Sequence, residues 1–144
     1  MAVKVYYQKE RFRLRESGLL KKLISEIIRE EGYKCELIEY IFTDDELILQ
    51  LNKEFLEHDY YTDVITFDRS FLKNSVIAEI YISVDTVKRN AKENGVPFRR
   101  EVLRVMIHGI LHVTGYNDND ESSRRKMREK EDHYLRKYFD GISI

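Results

Sequence analysis

Residues 98–114 form the segment that most restricts how this chain can fold. From Val102 onward the segment is apolar on nearly every side, and Pro97 suits the first turn of a helix. A helix that is apolar all round is stable only when it is buried. We therefore expect this helix in the middle of the domain, with the other elements of the fold packed around it.

Apolar spacing predicts two of the surrounding helices. After Ser17, residues 20, 23, 24, 27 and 28 are apolar at helical spacing, and Gly32 is placed to end that helix. Residues 43–46 have the pattern of a capping box. In such a box the Thr43 hydroxyl and the Glu46 carboxylate satisfy the first free backbone donors of the helix that follows.

Short alternating and β-branched segments predict the strands. We expect strands within residues 2–15 and over residues 35–42, 64–67 and 76–82, and a strongly charged last helix over about residues 121–139. The resulting order, β-α-β-α-β-β-α-α-α, predicts an α+β fold in a single domain of residues 1–144. One small mixed β-sheet packs against several helices, and the buried central helix carries two histidines.

Length and composition exclude several classes of protein. A chain of 144 residues is long enough for one domain with one sizeable core. No segment approaches the roughly 18 uninterrupted apolar residues of a transmembrane helix, so we expect no membrane contact. The single cysteine, Cys35, excludes an intramolecular disulfide and a zinc site built from several thiolates. Because the first residues also lack the apolar core of a signal peptide, the expected location is the cytoplasm.

Charge is nearly balanced overall but is unevenly distributed. The net charge is −1, which does not indicate a nucleic-acid-binding protein, and residues 36–63 contain nine acidic residues and one basic residue. The basic clusters are Arg11, Arg13 and Arg15; Arg99, Arg100 and Arg104; and Arg124, Arg125, Lys126 and Arg128. Such clusters can bind an anionic partner, although a cluster taken alone is more often a solvated surface.

Two histidines in the buried helix are the strongest indication of chemistry. His108 and His112 are four residues apart, so both imidazoles lie on one face of the helix and can reach one metal ion. Gly115 follows where the helix must end and the chain must turn, and Asp118 stands ten residues after His108. This is the spacing of the extended zinc signature H-E-x-x-H-x-x-G-x-x-H, with Asp in the last position. Three protein ligands with an open fourth position are typical of a catalytic zinc site.

One residue of that protease signature is missing. Metalloproteases carry Glu directly after the first histidine, where it is the general base for the attacking water. Here that position is Gly109, which has no side chain. A peptidase without its base loses roughly two to four powers of ten in rate. The pattern therefore still predicts a metal site but disfavours a protease.

A longer set of motifs resembles one family. Residues 108–116, HGILHVTGY, resemble the HGxLHLxGYDH signature of the YbeY-type bacterial metallo-endoribonucleases. Leu51 and Asn52 with residues 62–67 resemble the LN…PTDVLSF segment of that family, and residues 78–83 resemble its GDIxIS strand. Met127 and Glu131 resemble the pattern of its last helix. The match runs in order over about residues 47–131, and glycine after the first histidine belongs to the signature.

The resemblance implies a zinc-dependent endoribonuclease that acts on single-stranded RNA. Such an enzyme matures ribosomal RNA, including the three-prime end of the small-subunit RNA, and takes part in ribosome quality control. The implied partners are therefore ribosomal RNA and the small ribosomal subunit. The metal ligands of the family carry over to His108, His112 and Asp118, where the commoner family residue at the third position is His. One zinc ion held there lowers the pKa of bound water towards roughly 7.

Other departures from the family concern substrate binding. Leu56 follows Phe55 where the family has a basic residue after its LNxxY motif, which removes a cation expected to contact phosphate. Tyr61 replaces a proline, and His58 stands near a usual lysine position. We therefore expect RNA contacts from the basic clusters, by Arg11, Arg13 and Arg15 or by Arg124 and Arg125.

Two residues outside the signature are candidates for the pocket, and three functions stay open. Asp63 and Thr66 are placed to line the pocket or to orient ligating imidazoles, although both also suit ordinary strand positions. The first function is the zinc endoribonuclease. The second is a zinc peptidase with a replacement base, and the third is a non-catalytic ribosome assembly factor whose metal stabilises the fold. Asp120 and Glu121 are rivals of Asp118 as third ligand, and spacing favours Asp118.

Overall fold

The computed structural model describes residues 2–8, 12–55 and 62–140. Arg11, Leu56, His58 and Tyr61 lie outside the described residues. The strands are β1 (Val3–Tyr7), β2 (Lys34–Thr43), β3 (Val64–Asp68) and β4 (Ser75–Ser83). The helices are α1 (Ser17–Glu30), α2 (Asp45–Phe55), α3 (Val84–Asn94), α4 (Phe98–Val113) and α5 (Glu121–Leu135), and α5 continues into a π-helical turn at Arg136–Asp140. The order of elements confirms the predicted order, with this turn added at the end.

The four strands form one mixed sheet in the order β1-β2-β4-β3. β1 and β2 are parallel, and so are β2 and β4, whereas β3 is antiparallel to β4. Helix α1 connects β1 to β2, as a parallel pair requires a crossover connection. Within the described part of the chain β3 is an edge strand, and it packs against α4, the helix that carries His108 and His112.

Helix α4 is the buried central helix that the sequence predicts. Its apolar residues from Val102 to Leu111 are between 0% and 2% exposed. The buried Tyr40 hydroxyl of β2 donates a hydrogen bond to the Met106 carbonyl at 2.8 Å, which satisfies a polar group inside the core. The helix also approaches the sheet closely at Gly109, where a Cβ atom would lie 2.9 Å from Ile80 Cγ2. The α+β fold class is therefore confirmed, and no helix in the described ranges is long and apolar enough to cross a membrane.

The start of α2 differs from the predicted capping box. Thr43 is the last residue of β2, and its hydroxyl donates to Gln8 Oε1 at 3.0 Å instead of capping the helix. Asp44 takes the capping role, because its Oδ1 accepts from the Leu47 backbone N–H at 3.0 Å. The cap is displaced by one residue because pairing of β2 with β4 extends to Thr43, opposite Ser83.

Candidate metal centre

His108 and His112 lie on one face of the C-terminal half of α4. Their ring centroids are 4.6 Å apart, and the two Nε2 atoms are separated by 3.0 Å. The side chains are 25% and 29% exposed, so each ring is packed along most of its surface and open at one edge. The i, i+4 spacing therefore brings two nitrogen donors together at the surface of an otherwise buried helix.

The chain turns back sharply after α4 and brings a carboxylate to the histidines. Gly115 has a φ of +107°, a conformation that residues with a Cβ atom rarely adopt, and the Tyr116 N–H donates to the Leu111 carbonyl at 2.9 Å. This turn places Asp118 Oδ2 3.6 Å from His108 Nε2 and 3.5 Å from His112 Nε2. The structure thus brings together the three side chains that the sequence predicts as ligands.

The three donor atoms fit a zinc-like ion. Zinc binds histidine nitrogen and carboxylate oxygen at about 2.0–2.2 Å in tetrahedral geometry, which places ligand atoms about 3.3–3.5 Å from each other. The observed separations of 3.0, 3.5 and 3.6 Å lie close to that range. His108, His112 and Asp118 are therefore a group that could hold a metal ion, with all three ligand atoms within 4.8 Å of one another.

The rival carboxylates have other roles. Asp120 caps helix α5, because its Oδ1 accepts from the Ser123 N–H at 2.7 Å. Glu121 lies on the surface in an exposed ion pair with Arg125, at 3.7 Å. Neither belongs to the metal-binding group found among the described residues, so the preference for Asp118 agrees with the geometry.

A buried carboxylate on α5 fixes the orientation of His108. Glu131 is only 5% exposed, and its Oε2 accepts from His108 Nδ1 at 2.7 Å. Its other oxygen accepts from Arg104 Nη1 at 2.7 Å, and Arg104 Nη2 also donates to Asp132 at 3.0 Å. Because a carboxylate only accepts, Nδ1 of His108 carries a proton, and Nε2 is the ring nitrogen that faces the other ligand candidates.

The two histidines differ in proton affinity. Burial by itself lowers the pKa of His108, but the hydrogen bond and charge of Glu131, followed by Asp63 and Asp118, raise it above its usual value. Burial and the neighbouring His108 lower the pKa of His112, against the opposing effect of Asp118. His112 is consequently neutral at neutral pH, which is the form that binds a metal.

Two cavities open on either side of the three donors. A cleft of about 500 Å³ runs along the edge strand β3 and is lined by Thr66, His112 and Val113, among others. A second cavity of about 280 Å³ lies between α3, α4 and α5. Asp63 lines both cavities, as do His108 and Asp118.

Asp63 and Thr66, the predicted pocket residues, both lie in these walls. Asp63 Oδ2 accepts from Asn90 Nδ2 at 3.4 Å, and burial raises the pKa of the Asp63 carboxyl above its ordinary value. The Thr66 hydroxyl oxygen is buried and has no hydrogen-bond partner among the described residues. It lies 3.3 Å from the position that a Cβ atom on Gly109 would occupy.

The predicted RNA-contacting arginines separate into two groups. Arg124 lines the smaller cavity, and its Nη1 donates to the Asp118 carbonyl at 3.3 Å, whereas the adjacent Arg125 does not line it. Arg13 stacks on the Tyr7 ring at 4.7 Å. The Arg15 carbonyl accepts from Arg99 near the beginning of α4. Neither Arg13 nor Arg15 lines the two cavities.

Glu131 and Arg104 are the residues whose site role the sequence reasoning missed. A signal for Glu131 exists in the sequence. It stands four residues after Met127 and four before Leu135, on the narrow apolar stripe of a charged helix. An acidic residue on a stripe that packs against the core requires a buried partner. The identity of that partner depends on how α5 packs against α4.

Known proteins resemble this chain over most of its length. The sequence profile of the family described as Endoribonuclease YbeY matches residues 5–139. An Endoribonuclease YbeY of Cytophaga hutchinsonii is 41% identical over 130 residues, covering 89% of this chain and 91% of that protein. The protein of the same name from Flavobacterium psychrophilum is 42% identical over 125 residues, covering 87% and 89% of the two chains.

A solved structure supports the same relationship. The solution structure of a Thermotoga maritima protein aligns with a TM-score of 0.65 at 29% identity, covering 95% of this chain and 89% of that one. The profile match includes both histidines, Gly109, Asp118 and Glu131, so the whole site described above lies inside the matched region. This chain belongs to the YbeY family of endoribonucleases.

Proposed function

We propose that this chain is a zinc-dependent endoribonuclease that hydrolyses phosphodiester bonds in single-stranded RNA, with residues 1–144 acting as one hydrolase domain. Its proposed role is the maturation of ribosomal RNA at the three-prime end of the small-subunit RNA and ribosome quality control, in the cytoplasm. Membership of the family and the names of its relatives support RNA as substrate. The observation that carries the proposal is the convergence of His108 Nε2, His112 Nε2 and Asp118 Oδ2 within 3.6 Å at the meeting of two cavities.

The donor set favours zinc over the hard divalent cations. Two imidazole nitrogens and one carboxylate oxygen suit zinc, whereas magnesium and calcium prefer ligand sets made only of oxygen. Three protein donors also leave a fourth position, which is the arrangement of catalytic zinc sites. When bound, the ion supplies Lewis-acid polarisation of a phosphoryl oxygen and activation of water.

Two other side chains orient the metal ligands and transfer protons in the proposed reaction. Glu131 holds His108 in the ring orientation and tautomer that direct Nε2 towards the other two donors. Asp63 lies in the wall of both cavities, where it can accept a proton from an attacking hydroxyl group or return one to the leaving oxygen. The cleft of about 500 Å³ along β3 is the proposed path of the single strand.

Gly109 argues against a peptidase. A Cβ atom at this position would lie 2.9 Å from Ile80 Cγ2 and 3.0 Å from Ile80 Cδ1, inside the helix–sheet interface. A side chain at this position would have to displace Ile80, and the glycine supplies no carboxylate. The general base of the metalloprotease signature is therefore missing, which leaves RNA hydrolysis as the better-supported reaction.

The discriminating experiment compares substrates and metal-ligand variants. We expect zinc-loaded protein to cleave single-stranded RNA, to leave casein intact and to cleave duplex RNA far more slowly. His112→Ala should lose at least about 10³-fold in RNA cleavage while keeping its helical circular dichroism. The matched control is His133→Ala, an exposed histidine on α5 outside the donor group, which should retain wild-type activity.

The opposite results would assign a different function. Cleavage of casein with no cleavage of RNA would make the chain a peptidase. A folded wild type that cleaves neither substrate, together with unfolding of His108→Ala, would make the metal structural and the protein an assembly factor.

A further inference from the structure

The smaller cavity beside His108 is lined by both acidic and basic side chains. Its charged lining residues come from the residue before β3, from helices α4 and α5, and from the connection between these two helices. They are Asp63, Glu101, Asp118, Glu131, Arg104, Arg124 and Arg128. Four are acidic and three are basic, so a divalent cation at the three donors makes the balance positive. An anion can therefore enter this cavity once the metal is bound.

Arg104 is not available to such an anion. Its guanidinium pairs with Glu131 at 2.7 Å, with Asp132 at 3.0 Å and with Glu101 at 3.8 Å. These contacts hold α4 against α5 and occupy the N–H donors of the planar Arg104 guanidinium. Arg104 consequently forms the floor of the cavity and neutralises the acidic residues there.

Arg124 and Arg128 remain open at the mouth of the cavity. They are four residues apart on α5, both exposed, and both line the cavity. Arg124 Nη1 donates to the Asp118 carbonyl at 3.3 Å, which holds its guanidinium next to a metal-ligand candidate. Arg128 is exposed at the cavity, and its charge acts on Glu101, whose pKa it lowers against the larger effect of burial.

We propose that Arg124 and Arg128 bind a backbone phosphate of the RNA next to the phosphodiester that is hydrolysed. This inference rests on the proposed function and names the residues that bind the RNA on the side of the site formed by α5. Two guanidinium groups one helical turn apart form charge-assisted, bidentate hydrogen bonds to phosphate oxygens. The cavity volume of about 280 Å³ suits one phosphate and its sugar instead of a whole oligonucleotide.

Arg125 provides a matched comparison, because it belongs to the predicted RNA-contacting pair but does not line the cavity. It is adjacent to Arg124 and exposed, it lies about 100° away around α5, and it pairs at 3.7 Å with Glu121 on the surface. Replacing Arg124, Arg125 or Arg128 with Ala removes the same charge from the same helix. Only the position relative to the cavity differs.

The experiment measures binding of a short single-stranded RNA to zinc-loaded protein over a series of salt concentrations, with the intact probe verified on a gel. We expect Arg124→Ala and Arg128→Ala each to weaken binding about 5- to 10-fold. Each should also reduce the slope of log affinity against log salt by about 0.7, the value for one phosphate contact on a single strand. Arg125→Ala should change the binding free energy and the salt slope by no more than about a third as much as the two cavity variants do. In cleavage assays the cavity variants should raise KM and leave kcat within about threefold.

Zinc affinity distinguishes phosphate binding from support of Asp118. We expect Arg124→Ala to bind zinc as wild type does, and Arg124→Lys to recover part of the RNA affinity because it keeps the charge. If zinc affinity falls in parallel with RNA affinity, Arg124 acts through Asp118 and the inference is wrong.

The remaining outcomes separate this inference from the proposed function. If wild type cleaves RNA and all three arginine variants bind RNA equally, the phosphate site is refuted while the endoribonuclease stands. If wild type neither binds nor cleaves single-stranded RNA, both are refuted.

Discussion

Glu131 on α5 accepts a hydrogen bond from His108 on α4 at 2.7 Å, across 23 residues of sequence. This contact joins the last helix to the metal-ligand group, because the Glu131 carboxylate is also bound by Arg104. The orientation of one imidazole therefore depends on the packing of two helices.

Replacing Glu131 with Gln should weaken zinc binding about 10- to 100-fold, because an uncharged amide has only one acceptor oxygen and cannot accept from both His108 Nδ1 and Arg104 Nη1. The measurement is competition for zinc with a chromogenic chelator. Asp132→Asn is the control, since Asp132 also accepts from Arg104, at 3.0 Å, but does not contact His108. Equal zinc affinity in the two variants would show that Glu131 serves only to neutralise Arg104.

Replacing Gly109 with Ala should destabilise the fold by about 1–2 kcal/mol, measured by urea unfolding. The new Cβ atom meets Ile80 Cγ2 at 2.9 Å, and this overpacking outweighs the gain of about 1 kcal/mol in helix propensity. Gly18→Ala is the control, since nothing lies within 4 Å of a Cβ atom there and the helix should gain stability. Equal effects of the two substitutions would contradict the close approach of α4 to the sheet.

Replacing Asp63 with Asn should reduce RNA cleavage about 10²- to 10⁴-fold at unchanged zinc content, as loss of an acid–base group does. The same variant should be more stable than wild type at neutral pH. Burial raises the folded-state pKa of Asp63 above its ordinary value of 3.8, so its favourable contribution exists at low pH and is lost as pH rises through the raised value.

The pH dependence of stability checks the Asp63 prediction independently of activity. The stability difference between Asp63→Asn and wild type should shrink as pH falls towards 3.8, where the carboxyl is protonated in both states. A difference that is constant from neutral to acidic pH would mean that the charge of Asp63 is not the cause.

Replacing Glu31 with Gln should destabilise the fold by about 1–3 kcal/mol at neutral pH. The Glu31 carboxylate, 8% exposed, accepts from Tyr116 Oη at 2.8 Å, from Lys130 Nζ at 3.1 Å and from Tyr134 Oη. These bonds hold the end of α1 against α5 and against the turn that carries Asp118. Glu30→Gln is the control, because Glu30 makes its bonds to Lys137 and Tyr138 at the surface.

The Glu31 contribution should also depend on pH in a defined direction. Burial alone raises the pKa of Glu31, but the hydrogen bonds from Tyr134, Tyr116 and Lys130 lower it below its ordinary value of 4.5. The stabilisation is therefore present above pH 4.5 and is lost as pH falls through the lowered value. Wild type and Glu31→Gln should converge in stability under acidic conditions, and parallel curves would contradict the assignment.

The sequence predicts the metal-ligand group because its geometry is local. His108 and His112 are one helical turn apart, and Gly115 determines the turn that returns Asp118 to them. At Thr43 the local pattern is not sufficient, because a distant strand determines the structure. Thr43 pairs with Ser83 of β4 and therefore belongs to β2 instead of capping α2. The cap therefore falls on Asp44, one residue later than the local pattern indicates.

The spacing of residues along the sequence does not predict which side chains of two distant helices are in contact. Glu131 meets His108, and Arg124 instead of Arg125 faces the cavity, because of the rotation of α5 about its own axis. That rotation is set by the packing of buried residues such as Met127 and Tyr134 against the core. Periodicity identifies those buried residues but does not show which element of the core they face.

His108, His112 and Asp118 are the proposed ligands of one catalytic zinc ion. The most direct test is elemental analysis of purified wild type, His112→Ala and Asp118→Ala after zinc is resupplied. We predict about one zinc per wild-type chain, lost or strongly weakened in both variants, as expected for a three-ligand site. Wild-type protein without stoichiometric metal, or variants that retain it fully, would contradict the claim.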